Sequence, residues 1–148
     1  MHRLSSNVIV YIAILAVFTV IDAAWLAVVA ADVFKRQVGP ILSEKPNLWA
    51  ALAFYVIYAG GLLVLAVRPA LEQRRPGDAI VKGAVLGLTA YATFDLTNLA
   101  IIKGWSLALA LFDMAWGTAL SAVAAACGYA IGARLQARFH AGDATRPV

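Results

Sequence analysis

The chain has 148 residues, a net charge of +4, one cysteine (Cys127) and two histidines (His2 and His140), and 63% of it is apolar against 14% charged. Soluble domains average about 45–50% apolar and about 25% charged residues, so this is membrane composition in a chain of one-domain length. A disulfide framework, a cysteine zinc site and a core histidine ligand are excluded, and basic residues at the ends of apolar runs face lipid headgroups rather than nucleic acid.

The first predicted span covers residues 8–31. Met1-His2-Arg3 before an apolar run imitates a signal peptide, but this run far exceeds the roughly 7–15 residues of a signal core, so it reads as a retained transmembrane helix. It carries Asp22 and Trp25. In the loop that follows, Phe34, Val38, Ile41 and Leu42 have helical spacing with Lys35, Arg36 and Glu44 between them. That pattern predicts a short interfacial helix, broken near Gly39-Pro40.

The second span, 48–67, holds Tyr55 and Tyr58 and is expected to stop at Arg68-Pro69. A basic loop from Arg68 to Lys82 leads to the third span, 83–102, with Tyr91, Asp95, Thr97 and Asn98. Lys103-Gly104 then makes a turn so short that the third and fourth spans must be antiparallel neighbours. The fourth span, 105–133, contains Asp113 and Trp116, and the tail over 134–148 is expected to be flexible. The expected fold is an all-α membrane protein, a four-transmembrane-helix bundle in a single domain over 1–148.

Orientation follows from the basic residues. Arg3, Arg68, Arg74, Arg75, Lys82, Arg134, Arg138 and Arg146 fall on one side and Lys35, Arg36, Lys45 and Lys103 on the other, which predicts cytoplasmic termini. Trp49 and Trp105 are then expected at the outer interface. Gly83 and Gly87 in span three, and Gly117, Ser121, Ala125, Gly128 and Gly132 in span four, form small-residue stripes that allow close helix approach, within the bundle or across a homodimer.

The three aspartates are the features that need explaining, since each costs about 2.5–3.5 kcal/mol at the bilayer centre. Counted along their helices, all three lie at one depth, roughly 10–14 Å below the outer surface. Tyr55, Tyr58, Tyr91, Thr97 and Asn98 lie close to that level, and Trp25 and Trp116 each follow an aspartate by three residues. No Lys, Arg or His lies in the layer. Either most of the acids are protonated or a cation sits among them.

An oxygen set of this kind suits a hard cation, the tryptophan faces suit an organic cation or small amphipathic ligand, and a shared proton can take the cation's place. No defined metal motif and no cofactor motif is present. The leading functional reading is binding or conduction of a small cation or protonated small substrate. Two alternatives stand beside it: a non-catalytic subunit or assembly factor of a membrane complex, and a lipid- or isoprenoid-modifying enzyme. The enzyme is the less favoured, because no nucleophile–base constellation or phosphate-cradling loop appears.

Four phrases carry a family resemblance: Asp22-x-x-Trp25, Phe54-Tyr55-x-x-Tyr58, Tyr91-x-Thr93-x-Asp95-x-Thr97-Asn98 and Asp113-x-x-Trp116-Gly117. Over roughly residues 8–133 the chain resembles the domain of unknown function 2177 family of small bacterial membrane proteins. The resemblance implies four spans in a bacterial inner membrane and no established activity.

Overall fold

A computed structural model describes residues 2–39, 43 and 45–144. Helix α1 (His2–Trp25) passes through a π-helical segment, Leu26–Ala30, into the short α2 (Ala31–Val38). The second span is α3 (Leu48–Gly61), a π-helical segment (Leu62–Val67) and α4 (Arg68–Gln73). Then come α5 (Pro76–Ile101) and α6 (Leu107–Ala144). Four helical stretches are long and apolar enough to cross a membrane: Ser5–Val28, Leu48–Gln73, Pro76–Ile101 and Leu107–Arg138. The outward faces are apolar, with Ile12, Val20, Ile57, Leu65, Val81 and Ile101 exposed, as helices in lipid require.

Local chemistry sets the boundaries. Asn47 caps α3 by accepting from the backbone N–H groups of Trp49 (3.1 Å) and Ala50 (3.2 Å). The second span does not stop at Arg68-Pro69. A proline there would collide with the carbonyl four residues back in an α-helix, and the wider π-helical turn relieves this, with Arg68 N–H bonding the Leu63 carbonyl. The helix therefore reaches Gln73, and Arg74, in the left-handed region at φ 55°, closes it. Pro76 opens α5 at once, as a first-turn proline can. The expected basic loop shrinks to Arg74-Arg75, with Arg68–Glu72 (4.0 Å) and Lys82–Asp78 (3.9 Å) ion pairs on the flanking helices.

Helix α6 is central, packing on α5, on α1 and on the second span. The α5–α6 hairpin is the most extensive contact, as the short turn predicts, and its register is symmetric about Gly104 (φ 97°). Gly83 lies against Ala125 and Gly87 against Ser121 and the Gly117 carbonyl, while the Tyr91 ring lies on Gly117. Next in the same series, Asp95 stands beside Asp113. Gly128 and Gly132 give room to Ile14 and Val67 and to Leu71 and Val10, from α1 and the second span. Both small-residue stripes are thus covered within the chain. The core beneath the acids is Val10, Ile14, Phe18, Leu62, Ala66, Val67, Leu120 and Ala124.

The loop after the first span forms its helix at Ala31–Val38; Pro40, Ile41, Leu42 and Glu44, the rest of the expected interfacial helix and its break, lie outside the described residues. Trp105, expected at the outer interface, is enclosed by neighbouring side chains rather than exposed. It is 9% exposed, with Phe34 and Phe94 rings each 5.5 Å away and Val38 and Leu109 packed beside it, whereas Trp49 is 82% exposed. Helix α2 folds back over the Gly104 end of the bundle and encloses Trp105 there. At the opposite end α6 runs through Arg134 and Arg138 to Ala144, and residues 145–148 of the expected flexible tail lie outside the described residues.

A Cβ at Gly87 would come within 2.6 Å of Ser121 Oγ and closer still to the Gly117 carbonyl, whereas nothing lies within 4 Å of one at Gly60. Gly87→Ala should therefore destabilise the folded protein by about 1–3 kcal/mol, the usual cost of overpacking. Gly60→Ala should leave it unchanged or slightly more stable. Equilibrium unfolding in detergent micelles compares the two.

Candidate functional site

The polar side chains cluster near the Gly104 end, where α1, α3, α5 and α6 meet. Asp22 is 6% exposed and accepts three hydrogen bonds. Tyr55 Oη donates to its Oδ2 (2.9 Å), while Tyr91 Oη (3.5 Å) and Trp116 Nε1 (3.4 Å) donate to its Oδ1. Each donor comes from a different helix. Tyr91 is aimed by Gly117, whose missing side chain leaves space for the ring. Trp116 is held by stacking on Trp25, with centroids 4.2 Å apart and planes 11° from parallel. Trp25 also meets Phe112 at 5.1 Å.

Asp95 and Asp113 form the other half of the layer. Asp95 is wholly buried, and neither carboxyl oxygen has a hydrogen-bond partner among the described residues. Its neighbours are the half-buried Asp113 carboxyl and the indole of Trp105, whose Nε1 is also buried without a partner. Asp113 lies between Asp95 and Asp22 and interacts with both. The three acids form a row rather than a ring, and among the described residues no three His, Cys, Asp or Glu converge to hold a metal ion.

A crevice reaches Asp113 between α1, α2 and α6, lined by Trp25, Val33, Phe34, Leu109, Phe112 and Asp113. Its free volume of about 10 Å³ for the centre of a water-sized sphere is room for one water molecule.

Not every residue expected in the layer belongs to it. Tyr58 is buried one turn deeper, donating to Ser121 Oγ (2.7 Å), which itself donates to the Gly117 carbonyl (2.6 Å). Thr97 lies on the exposed face of α5 and turns its hydroxyl back to the Thr93 carbonyl, as Thr93 does to Thr89. Asn98 is half-buried, and its side chain makes no hydrogen bond to the described residues; its carbonyl caps the helix by accepting from Ile102 N–H (2.7 Å). The layer therefore joins Asp22, Asp95, Asp113, Tyr55, Tyr91, Trp25 and Trp116. To these the structure adds Trp105, Phe34, Phe112 and Gly117. Gly117 and the pairing of Asp95 with Asp113 could have been found by counting outward from Gly104.

A family model described as a predicted membrane protein, DUF2177, matches residues 7–130. That covers most of the chain, which therefore belongs to this family. No curated protein and no solved structure matches the chain significantly.

Tyr55 makes the shortest of the three bonds to a buried acceptor. Tyr55→Phe should cost about 1–3 kcal/mol of stability. Thr97→Val, on the outer face, should stay within about 0.5 kcal/mol. Unfolding titrations of the two variants against the parent give the comparison.

Proposed function

We propose that this DUF2177-family protein binds a small cation or a proton in its acid layer, from the side of the membrane at the Gly104 end. One observation carries the reading: Asp95 is wholly buried, has no hydrogen-bond partner among the described residues, and faces a second carboxyl. Among the described residues the only ion pairs are on the helices flanking Arg74-Arg75, so no side-chain base neutralises these acids. Two carboxylates side by side in low dielectric repel each other, and a proton or cation between them removes that repulsion. The intramembrane position favours function over structural glue, because interhelical hydrogen bonds average only about 0.6 kcal/mol and repay the insertion cost poorly.

The Lys and Arg distribution supports cytoplasmic termini in a bacterial inner membrane, with the Gly104 turn and the crevice outward. Bulky substrates suit the site less well, since the crevice has room for one water molecule. The Asp22 half of the layer holds the bundle together and fixes the tryptophans; the Asp95–Asp113 half holds the ligand.

The test is thermal unfolding of purified protein across pH with sodium, potassium, magnesium and calcium in turn. Raising the pH strips protons from buried, unpaired acids, so stability should fall, and the cation that binds should restore it. A ligand confined to the folded state adds about 2.7 kcal/mol at a hundred times its dissociation constant. Asp95→Asn and Asp113→Asn should abolish both the pH dependence and the restoration. A pH-independent melting temperature that no cation changes, in parent and variants alike, would contradict the proposal.

A further inference from the structure

The acid layer divides into two unlike halves. Asp22 receives donors from Tyr55, Tyr91 and Trp116, so its oxygens are already occupied. Asp95 and Asp113 lie against each other, and neither Asp95 oxygen makes a well-formed hydrogen bond among the described residues, the Trp105 indole being its one neighbouring donor. With only the Trp105 indole N–H beside Asp95, the two facing carboxyls lack a hydrogen between them.

We infer that the Asp95–Asp113 pair holds one shared proton, exchanged with the Gly104 end through a single water in the crevice at Asp113, while Asp22 is a fixed hydrogen-bonded anchor. This rests on the cation-site reading and names its occupant. The surrounding atoms favour a proton over a metal ion. Trp116 points an indole N–H at Asp22, and Trp105 places another beside Asp95, where a metal would require lone pairs.

The crevice admits one water and ends on Asp113, with Trp25, whose indole nitrogen is otherwise unpartnered, as another wall. Loading relays a proton from solvent hydronium: the crevice water takes up that proton as it gives one of its own to an Asp113 oxygen, leaving water behind. The proton is then shared with Asp95, and release runs the same transfers in reverse. The titratable groups around the pair are Asp22 from α1 and Tyr91 from α5; Tyr55 and Tyr58 of α3 neighbour Tyr91 rather than the pair. Lys35 and Arg36 of α2 are exposed.

Infrared difference spectroscopy of the protein in lipid vesicles reads this directly. The parent at neutral pH should show a protonated-carboxyl band that shifts in heavy water. Asp95→Asn and Asp113→Asn should each lose it, and Asp22→Asn should keep it. Where an Asn variant does not fold, Asp95→Glu and Asp113→Glu retain the carboxyl and should displace the band.

An absent band, one surviving both Asn variants, one unmoved in both Glu variants, or one lost only with Asp22→Asn overturns the inference. Melting curves with sodium, potassium, magnesium and calcium run beside it. If the band is absent but one cation raises the melting temperature through Asp95 and Asp113, the proton assignment falls and the cation-site reading stands. If the band is absent and no cation acts, both fall.

Discussion

Helices α5 and α6 can approach as closely as they do because Gly83, Gly87 and Gly117 carry no side chains where the two backbones meet. With the turn centred on Gly104, that contact leaves one register, and the register decides which polar groups meet. Positions equidistant from the turn become neighbours, in steps of four residues, so the series of glycine contacts ends in Asp95 beside Asp113. The acid pair is a consequence of the hairpin's packing rather than of any attraction between like groups. A slip by one residue would turn the carboxyls to different faces.

The second consequence lies across the bundle. Because Gly117 accepts the Tyr91 ring, the Tyr91 hydroxyl reaches α1 and meets Asp22, where Tyr55 and Trp116 also converge. Helices α1 and α5 have little backbone contact, so the Tyr91 bond joins elements that otherwise scarcely meet. Asp22 thus does structural work that an apolar residue could not do with the same donors around it. Asp95, equally buried, does none that the described residues show. This contrast between two intramembrane acids of the same chain underlies the functional proposal, and the crevice beside α2, with room for one water molecule, touches Asp113 rather than Asp95.

Hydropathy and the Lys103-Gly104 turn made the four spans, the antiparallel hairpin and the common depth of the acids readable in the sequence. Depth is a sum of rises along an axis and survives small errors in helix boundaries. Rotation does not, which is why Thr97 and Asn98, at the right level, stand apart from the acids. Pro69 was misleading because the proline rule assumes an α-helical turn; a π-helical turn relaxes the clash and the span continues to Gln73. Position after a turn suggests an exposed Trp105, but α2 covers that turn, and which surface a short amphipathic helix will choose is not written in its own spacing. The hairpin register, by contrast, was available from Gly104 and the four-residue repeat alone.

The central claim is that Asp95 and Asp113 act as one unit while Asp22 stands apart. A double-mutant cycle measures this most directly, with unfolding free energies of the parent, Asp95→Asn, Asp113→Asn and the double variant at high pH, beside the corresponding cycle of Asp95 with Asp22. If the pair is coupled, relieving either acid relieves both, and the first cycle shows an interaction of about 0.5–3 kcal/mol while the second is close to additive. Additivity in the Asp95–Asp113 cycle would contradict the account.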